Sequence, residues 1–255
     1  MEFPDAPDYP TTSYPRPQPG TGKVALITGG SAGIGKAAAQ ALLRDGWTVT
    51  IAARNETTLA ATAEALGCHY WPVDISDEAS IRRLRDQFDR LDLLVNNAGM
   101  ALGLDSVADG DHDDWTRMYE VNVLGTLRVT QQFLALLDHP GGQIITIGSV
   151  AGRYPYRGGA GYNAAKHALG AMMKVLRLET ADSPLRVTQI DPGRVHTAFS
   201  AVRFAGDQDK AEAVYADNVS LTADDVGEAI RWVASLPEHV NIDDIQLTPV
   251  HQVFS

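Results

Sequence analysis

Tyr162 and Lys166 stand four residues apart in Tyr162-Asn163-Ala164-Ala165-Lys166, a spacing that stacks two side chains on one helix face. A free phenol ionises near pH ~10 and is a poor acid or base at neutrality. An ammonium beside it favours the phenolate and lowers that value. Ser149 closes an apolar run that reads as a fifth strand, where open α/β sheets present their crevice residues. Its hydroxyl is placed to orient a substrate oxygen beside the phenol. The chemistry these groups suit is proton transfer to or from an oxygen-bearing carbon. Taken alone, Tyr and Lys at this spacing also fit an ordinary surface pair.

A second constellation lies near the start. The first apolar run leads into Thr28-Gly29-Gly30-Ser31-Ala32-Gly33-Ile34-Gly35 and then a helical pattern. Gly29, Gly33 and Gly35, with Ser31 and Ile34 between them, allow a tight turn, close approach to a pyrophosphate and a helix N-terminus facing its charge. A dinucleotide is expected there, with its nicotinamide ribose held by Lys166. At the end of the second strand, Arg54 and Asn55 stand where NAD sites carry an acidic residue for the ribose 2′-hydroxyl. A guanidinium suits a 2′-phosphate instead, so NADP is expected over NAD; the alternative for Arg54 is an ordinary surface arginine. Asp74, followed by Ile75, fits either the adenine edge or a helix cap near Ser76. Asn97, Ala98 and Gly99 fit either close contact with the adenosine ribose or a plain turn.

The elements that must position these groups read as alternating strands and helices. Apolar runs at 24–28, 47–52, 68–73, 91–96, 143–147, 185–190 and 245–249 alternate with segments rich in Ala, Leu and charge. Near-continuous apolar strands between helices indicate a parallel sheet covered on both faces. The expected fold is one doubly wound Rossmann-type α/β domain over 23–255, with a seven-stranded sheet. Residues 1–22 hold six of the 13 prolines and no hydrophobic period, and read as a flexible arm.

Composition narrows the function. The 255 residues include 21 Lys and Arg against 32 Asp and Glu, a net charge of −11. That balance argues against a nucleic-acid partner, which needs a basic face. No apolar run is long enough to span a bilayer, and Met1-Glu2-Phe3-Pro4-Asp5 does not read as a secretory signal. The single cysteine, Cys68, excludes a disulfide framework or a Cys-rich zinc site. It reads as a buried small hydrophobe near the third strand. The histidines and carboxylates show no metal-ligand spacing, so no metal is expected, and residence is expected to be cytoplasmic.

Together these residues resemble the short-chain dehydrogenase/reductase family. The resemblance spans about 23–250 and rests on the glycine motif, Asn96-Asn97-Ala98-Gly99, Asn122, Ser149, Tyr162, Lys166 and Asp191-Pro192-Gly193. It implies that Tyr162 is the acid/base, Ser149 positions the carbonyl, Lys166 lowers the tyrosine pKa and binds ribose, and Asn122 supports a water-linked relay. It also implies cofactor contacts from Pro192, Gly193 and Val195, and a homotetramer or homodimer built on long helices near 111–138 and 160–180.

Three stretches, 97–103, 199–207 and 236–242, resemble the branch of NADP-dependent 3-hydroxy acid dehydrogenases. That implies a small anionic substrate such as serine, allo-threonine or 3-hydroxypropionate, with a sulfonate or a larger carbonyl as alternatives. An anion so small needs a nearby cation. Arg153, Arg157 and Arg203, with Tyr156, are the expected substrate residues, each weighed against a surface ion pair. His196 stands either against cofactor or substrate or as a bystander.

Overall fold

Alternate residues of the central strands serve opposite faces of one sheet. In β1 (Val24–Thr28), Ala25 and Ile27 enter one hydrophobic cluster while Leu26 enters the other. The same division recurs in β4 (Leu93–Asn96) and β5 (Gln143–Ile147), where Leu94 and Ile144 oppose their neighbours. These strands are therefore mostly apolar, which is why the sequence shows nearly unbroken runs. The computed structural model describes residues 20–204, 206, 207, 209, 215 and 219–254. Most of the arm expected over 1–22 lies outside the described residues.

The sheet is completed by β2 (Thr48–Ala53), β3 (His69–Pro72), β6 (Arg186–Pro192) and β9 (Asp244–Leu247), in the order β3-β2-β1-β4-β5-β6-β9. All six pairings are parallel. One face is covered by α1 (Gly33–Arg44), α2 (Glu56–Leu66) and α8 (Ala223–Ser235), through Leu42, Leu59 and Ile230. The other is covered by α3 (Glu78–Arg85), α5 (Thr126–Leu137) and α6 (Ala160–Glu179), through Leu84, Phe133 and Leu169. Phe133 is fully buried, so truncating it to alanine would cost about 3–5 kcal/mol. The strand order reverses between β1 and β4, which opens a crevice at the strands' C-terminal ends.

Two features were not legible as strands or ordinary helix. Val195–His196 (β7) pairs with Leu221–Thr222 (β8) in a separate two-stranded parallel ribbon. And between α4 (His112–Tyr119) and α5 lies a π-helical turn, Glu120–Gly125. Asn122 explains that turn. Its Nδ2 donates to the Met118 carbonyl at 2.7 Å and to the Met100 carbonyl at 2.8 Å, so a side chain enters the helix's own hydrogen-bond ladder.

Candidate active site

The glycine loop joins β1 to α1. Gly29 has φ +66° and Gly33 φ +51°, both in the left-handed region that side chains disfavour. A Cβ at Gly29 would lie 2.8 Å from Asn97 Nδ2 and 2.9 Å from Ala98 Cα, and one at Gly35 would strike the Gly29 carbonyl. Asn97 fastens this loop to β4 by donating from Nδ2 to the Thr28 and Gly29 carbonyls. The N–H groups of Asn97 and Ala98 both reach Thr28 Oγ1 at 3.1 Å. Asn55, Asp77, Asp111 and Thr222 cap α2, α3, α4 and α8. By contrast, α1 begins at Ala32 with no side-chain cap and no acid in its first turn. Its first N–H groups thus fit the pyrophosphate of a dinucleotide.

Arg54 is exposed at the end of β2. Partial burial pushes the Asp74 carboxyl up, but hydrogen bonds from Ser76 and the charges of Arg54 and Arg117 hold it below its ordinary value. Asp74 therefore lies within electrostatic reach of Arg54. It is not the cap of α3, a role Asp77 takes; its Oδ1 accepts from the Ser76 N–H and hydroxyl instead. The Asn55 side chain is engaged in capping α2, and Ile75 is buried in the core against Gly125. Pro192 ends β6, and Gly193 donates to Leu247 at 2.7 Å.

Tyr162 and Lys166 occupy the first two turns of α6 and are 8% and 5% exposed. Lys166 Nζ donates to the Ile147 carbonyl at the end of β5, 3.0 Å away. It also lies 3.7 Å from where a Gly99 Cβ would stand, beside Asn122 Oδ1. Ser149 follows β5, and its Oγ accepts the Ala151 N–H at 3.1 Å. That bond uses a lone pair and leaves the hydroxyl proton to donate. The structure thus brings Asn122, Ser149, Tyr162 and Lys166 to the C-terminal edge of the central strands.

Burial governs the electrostatics of both groups. Burial pushes the Tyr162 phenol well above its ordinary value, and the leading opposing influences are the Ser149 hydrogen bond and the Arg203 guanidinium. The Lys166 ammonium donates to the Ile147 carbonyl and sits 5.8 Å from the phenol ring centroid, the same distance as the Arg203 guanidinium carbon. Burial also pushes Lys166 down to about 8, against the charge of Asp191, which raises it.

The three candidate arginines separate. Arg153 Nε donates to Asp191 at 2.6 Å and its Nη2 to Asp244 at 2.5 Å. Two carboxylates already match its charge, which corrects the expectation that it faces a substrate anion. Arg157 is exposed and forms no ion pair with a described residue. Arg203 ends the short helix α7 (Phe199–Arg203), with its guanidinium over the rings of Tyr156 at 5.5 Å and Tyr162 at 5.8 Å. Its Nε donates to the Gly103 carbonyl at 3.0 Å, while Nη2 is buried with no hydrogen-bond partner among the described residues.

Further residues complete the surroundings. Phe199 packs against Tyr162 at 5.8 Å. Asp191 is wholly buried and accepts from the Ser149 N–H, Gln189 and Arg153. His196 is exposed and its ring lies 4.3 Å from that of Tyr215, tilted at 57°. Cys68 is only partly buried beside the core, and burial pushes its thiol up. Among the described residues, no cluster of His, Cys, Asp and Glu could hold a metal, and no helix is long and apolar enough to cross a membrane.

The family description "short chain dehydrogenase" matches residues 23–208. The chain belongs to that family. Among its short-chain dehydrogenase relatives, serine 3-dehydrogenase of Rhizobium radiobacter is 39% identical over 90% of this chain and 95% of its own. An NADP-dependent 3-hydroxy acid dehydrogenase of Salmonella typhi is 38% identical over 91% and 97%. Among solved structures, the closed form of serine dehydrogenase complexed with NADP+ superposes with a TM-score of 0.88 at 36% identity, covering 91% of this chain and 97% of that one.

Proposed function

We propose that the protein is an NADP-dependent oxidoreductase acting on the alcohol or carbonyl of a small 3-hydroxy acid, such as serine, allo-threonine or 3-hydroxypropionate. The observation that carries this reading is the unpaired Nη2 of Arg203, held over the ring of Tyr162. A carboxylate there would supply the missing acceptor and hold a neighbouring carbon at the phenol.

The residues divide the work. NADP(H), when bound, supplies or receives the hydride at the substrate carbon. Its pyrophosphate would lie on the uncapped start of α1 over Gly29, Ser31, Gly33, Ile34 and Gly35, with Arg54 at the 2′-phosphate. Asn97, Ala98, Gly99 and Val195 would line its path toward Lys166, which holds the ribose. Ser149 donates to the substrate oxygen. Tyr162 gives its proton to that oxygen on reduction and takes one from it on oxidation. Asn122 fixes the Met100 backbone and widens the helix beside Lys166, the location a water-linked relay requires.

An NADP-coupled absorbance assay tests the reading. It compares L-serine, L-allo-threonine, 3-hydroxypropionate and isethionate, with NAD as the second cofactor. NADP-dependent turnover of a carboxylate supports the reading. Turnover of isethionate alone replaces the carboxylate with a sulfonate. Silence on all four while NADPH still binds discards the small-anion substrate.

A further inference from the structure

The buried carboxylate of Asp191 lies behind the catalytic groups rather than among them. Its Oδ1 accepts the Ser149 N–H at 3.0 Å and Gln189 Nε2 at 2.7 Å, and its Oδ2 accepts Arg153 Nε at 2.6 Å. A Cβ at Gly148 would strike that carboxylate, so the glycine before Ser149 is what admits it. Arg153 in turn reaches Asp244 on β9, tying the ends of β5, β6 and the edge strand together. An unpartnered charge so deep would be costly, and Arg153 is the cation in contact with it.

We propose that Arg153 is a positioning residue, whose ion pair with Asp191 holds the Ser149 main chain and neutralises a buried charge behind Tyr162 and Lys166. It acts through Asp191 and does not touch substrate. The inference rests on the reading of Tyr162 and Lys166 as the working pair.

The charges around that pair fix the sign. Asp191 faces it from β6, Arg203 from α7, Arg153 and Tyr156 from the segment after β5, and Asp105, Asp111 and Asp114 from the pocket wall. Asp191 raises the values of both Tyr162 and Lys166. Removing the Arg153 charge uncovers Asp191, so both groups hold their protons to higher pH. Removing the Asp191 charge does the opposite.

Lys166 titrates in an accessible range, near 8, and the chain has only five lysines. Its ionisation can therefore be followed by carbon-13 NMR of the lysine side chains in ligand-free protein, with Lys166→Met for assignment. Arg153→Gln is expected to move the Lys166 midpoint up, and Asp191→Asn to move it down, each by about 1 pH unit. Arg153→Lys keeps the charge and is expected to restore the wild-type midpoint. If Arg153→Gln does not fold, Asp191→Asn and Arg153→Lys decide the matter by the same reading. An unmoved midpoint in folded Arg153→Gln or Asp191→Asn overturns the proposal. So does a tenfold rise in the Michaelis constant for the acid in Arg153→Gln with the midpoint unchanged, since Arg153 would then be a substrate ligand. The titration needs no turnover, so silence in the substrate assay counts against the proposed substrate and leaves this test intact.

Discussion

The Arg203 guanidinium carbon lies 5.8 Å from the centroid of the Tyr162 ring, and a reciprocal pair of backbone and side-chain bonds to Gly103 holds it there. Gly103 donates its N–H to the Arg203 carbonyl at 3.1 Å and accepts from Arg203 Nε at 3.0 Å. A second cation beside the phenol therefore comes from a residue 41 positions later, at the same 5.8 Å from the ring as the lysine one turn away. A substrate anion reaching Nη2 would meet the cation that lowers the Tyr162 value.

Arg203→Ala is expected to raise the Michaelis constant for an acidic substrate by about 10- to 150-fold, the worth of a hydrogen bond to a charged group at ~1.5–3 kcal/mol. Arg203→Lys keeps the charge but loses the planar fork, and recovers only part of that loss. The constant for NADP should stay within about twofold. Steady-state kinetics on both substrates check this; a constant for the acid that does not move in Arg203→Ala removes the guanidinium from the anion pocket.

Tyr162→Phe keeps the ring packed against Phe199 and deletes only the proton donor. Turnover should fall by about 10²–10⁴ while NADPH affinity, read by quenching of protein fluorescence, is retained. Turnover near that of the wild type would move the acid/base role elsewhere.

Much of this was legible in the chain. The inner strands of the sheet were readable because burial on both faces favours apolar residues at most positions, a pattern that short windows detect, while the edge strands β3 and β9 are partly exposed. Boundaries moved by at most two residues, as with β9, which runs Asp244–Leu247, and β1 and β5 stand as read. The β7–β8 ribbon escaped notice because two residues carry no period. The π turn escaped because its cause, Asn122 capturing the Met118 carbonyl, lies in a side chain's direction. The arginines were equivalent in sequence; only folding shows that Asp191 and Asp244, 38 and 91 positions away, take Arg153. Pairings at such separations leave no local trace.

Cofactor choice should turn on Arg54. It is exposed, so little folding energy depends on it, and Arg54→Ala is expected to leave the melting temperature unchanged within about 1 °C, as for most surface substitutions. The Michaelis constant for NADP should rise about tenfold or more, with NAD unaffected, because only NADP carries the 2′-phosphate that a guanidinium holds in two bonds. Equal changes for both cofactors would mean that Arg54 does not read the phosphate.

Gly29→Ala tests the loop. The backbone there has φ +66°, and the added methyl would crowd Asn97 Nδ2 and the Ala98 backbone. Strain of about 1–3 kcal/mol is expected, seen as a lower melting temperature, together with loss of the stabilisation that NADPH gives the wild type. A variant still protected by NADPH to the wild-type extent would show that the loop does not contact the cofactor closely.

The direction of catalysis should respond to pH with opposite signs. Burial raises the Tyr162 phenol above its ordinary value, so at neutrality the proton is present and reduction has its donor. Oxidation needs the phenolate, whose fraction grows about tenfold per pH unit below the pKa. Oxidation is therefore expected to climb from pH 6 toward 8, while reduction holds level or declines. Above about 8 the Lys166 ammonium loses its proton, and the ribose loses a charged donor. The climb should then flatten and the Michaelis constant for NADP should rise. Rate profiles in both directions check the signs, with Arg203→Ala displacing the oxidative limb to higher pH because the cation that lowers Tyr162 is gone. An oxidative limb that shifts to lower pH in that variant would contradict the assigned electrostatics.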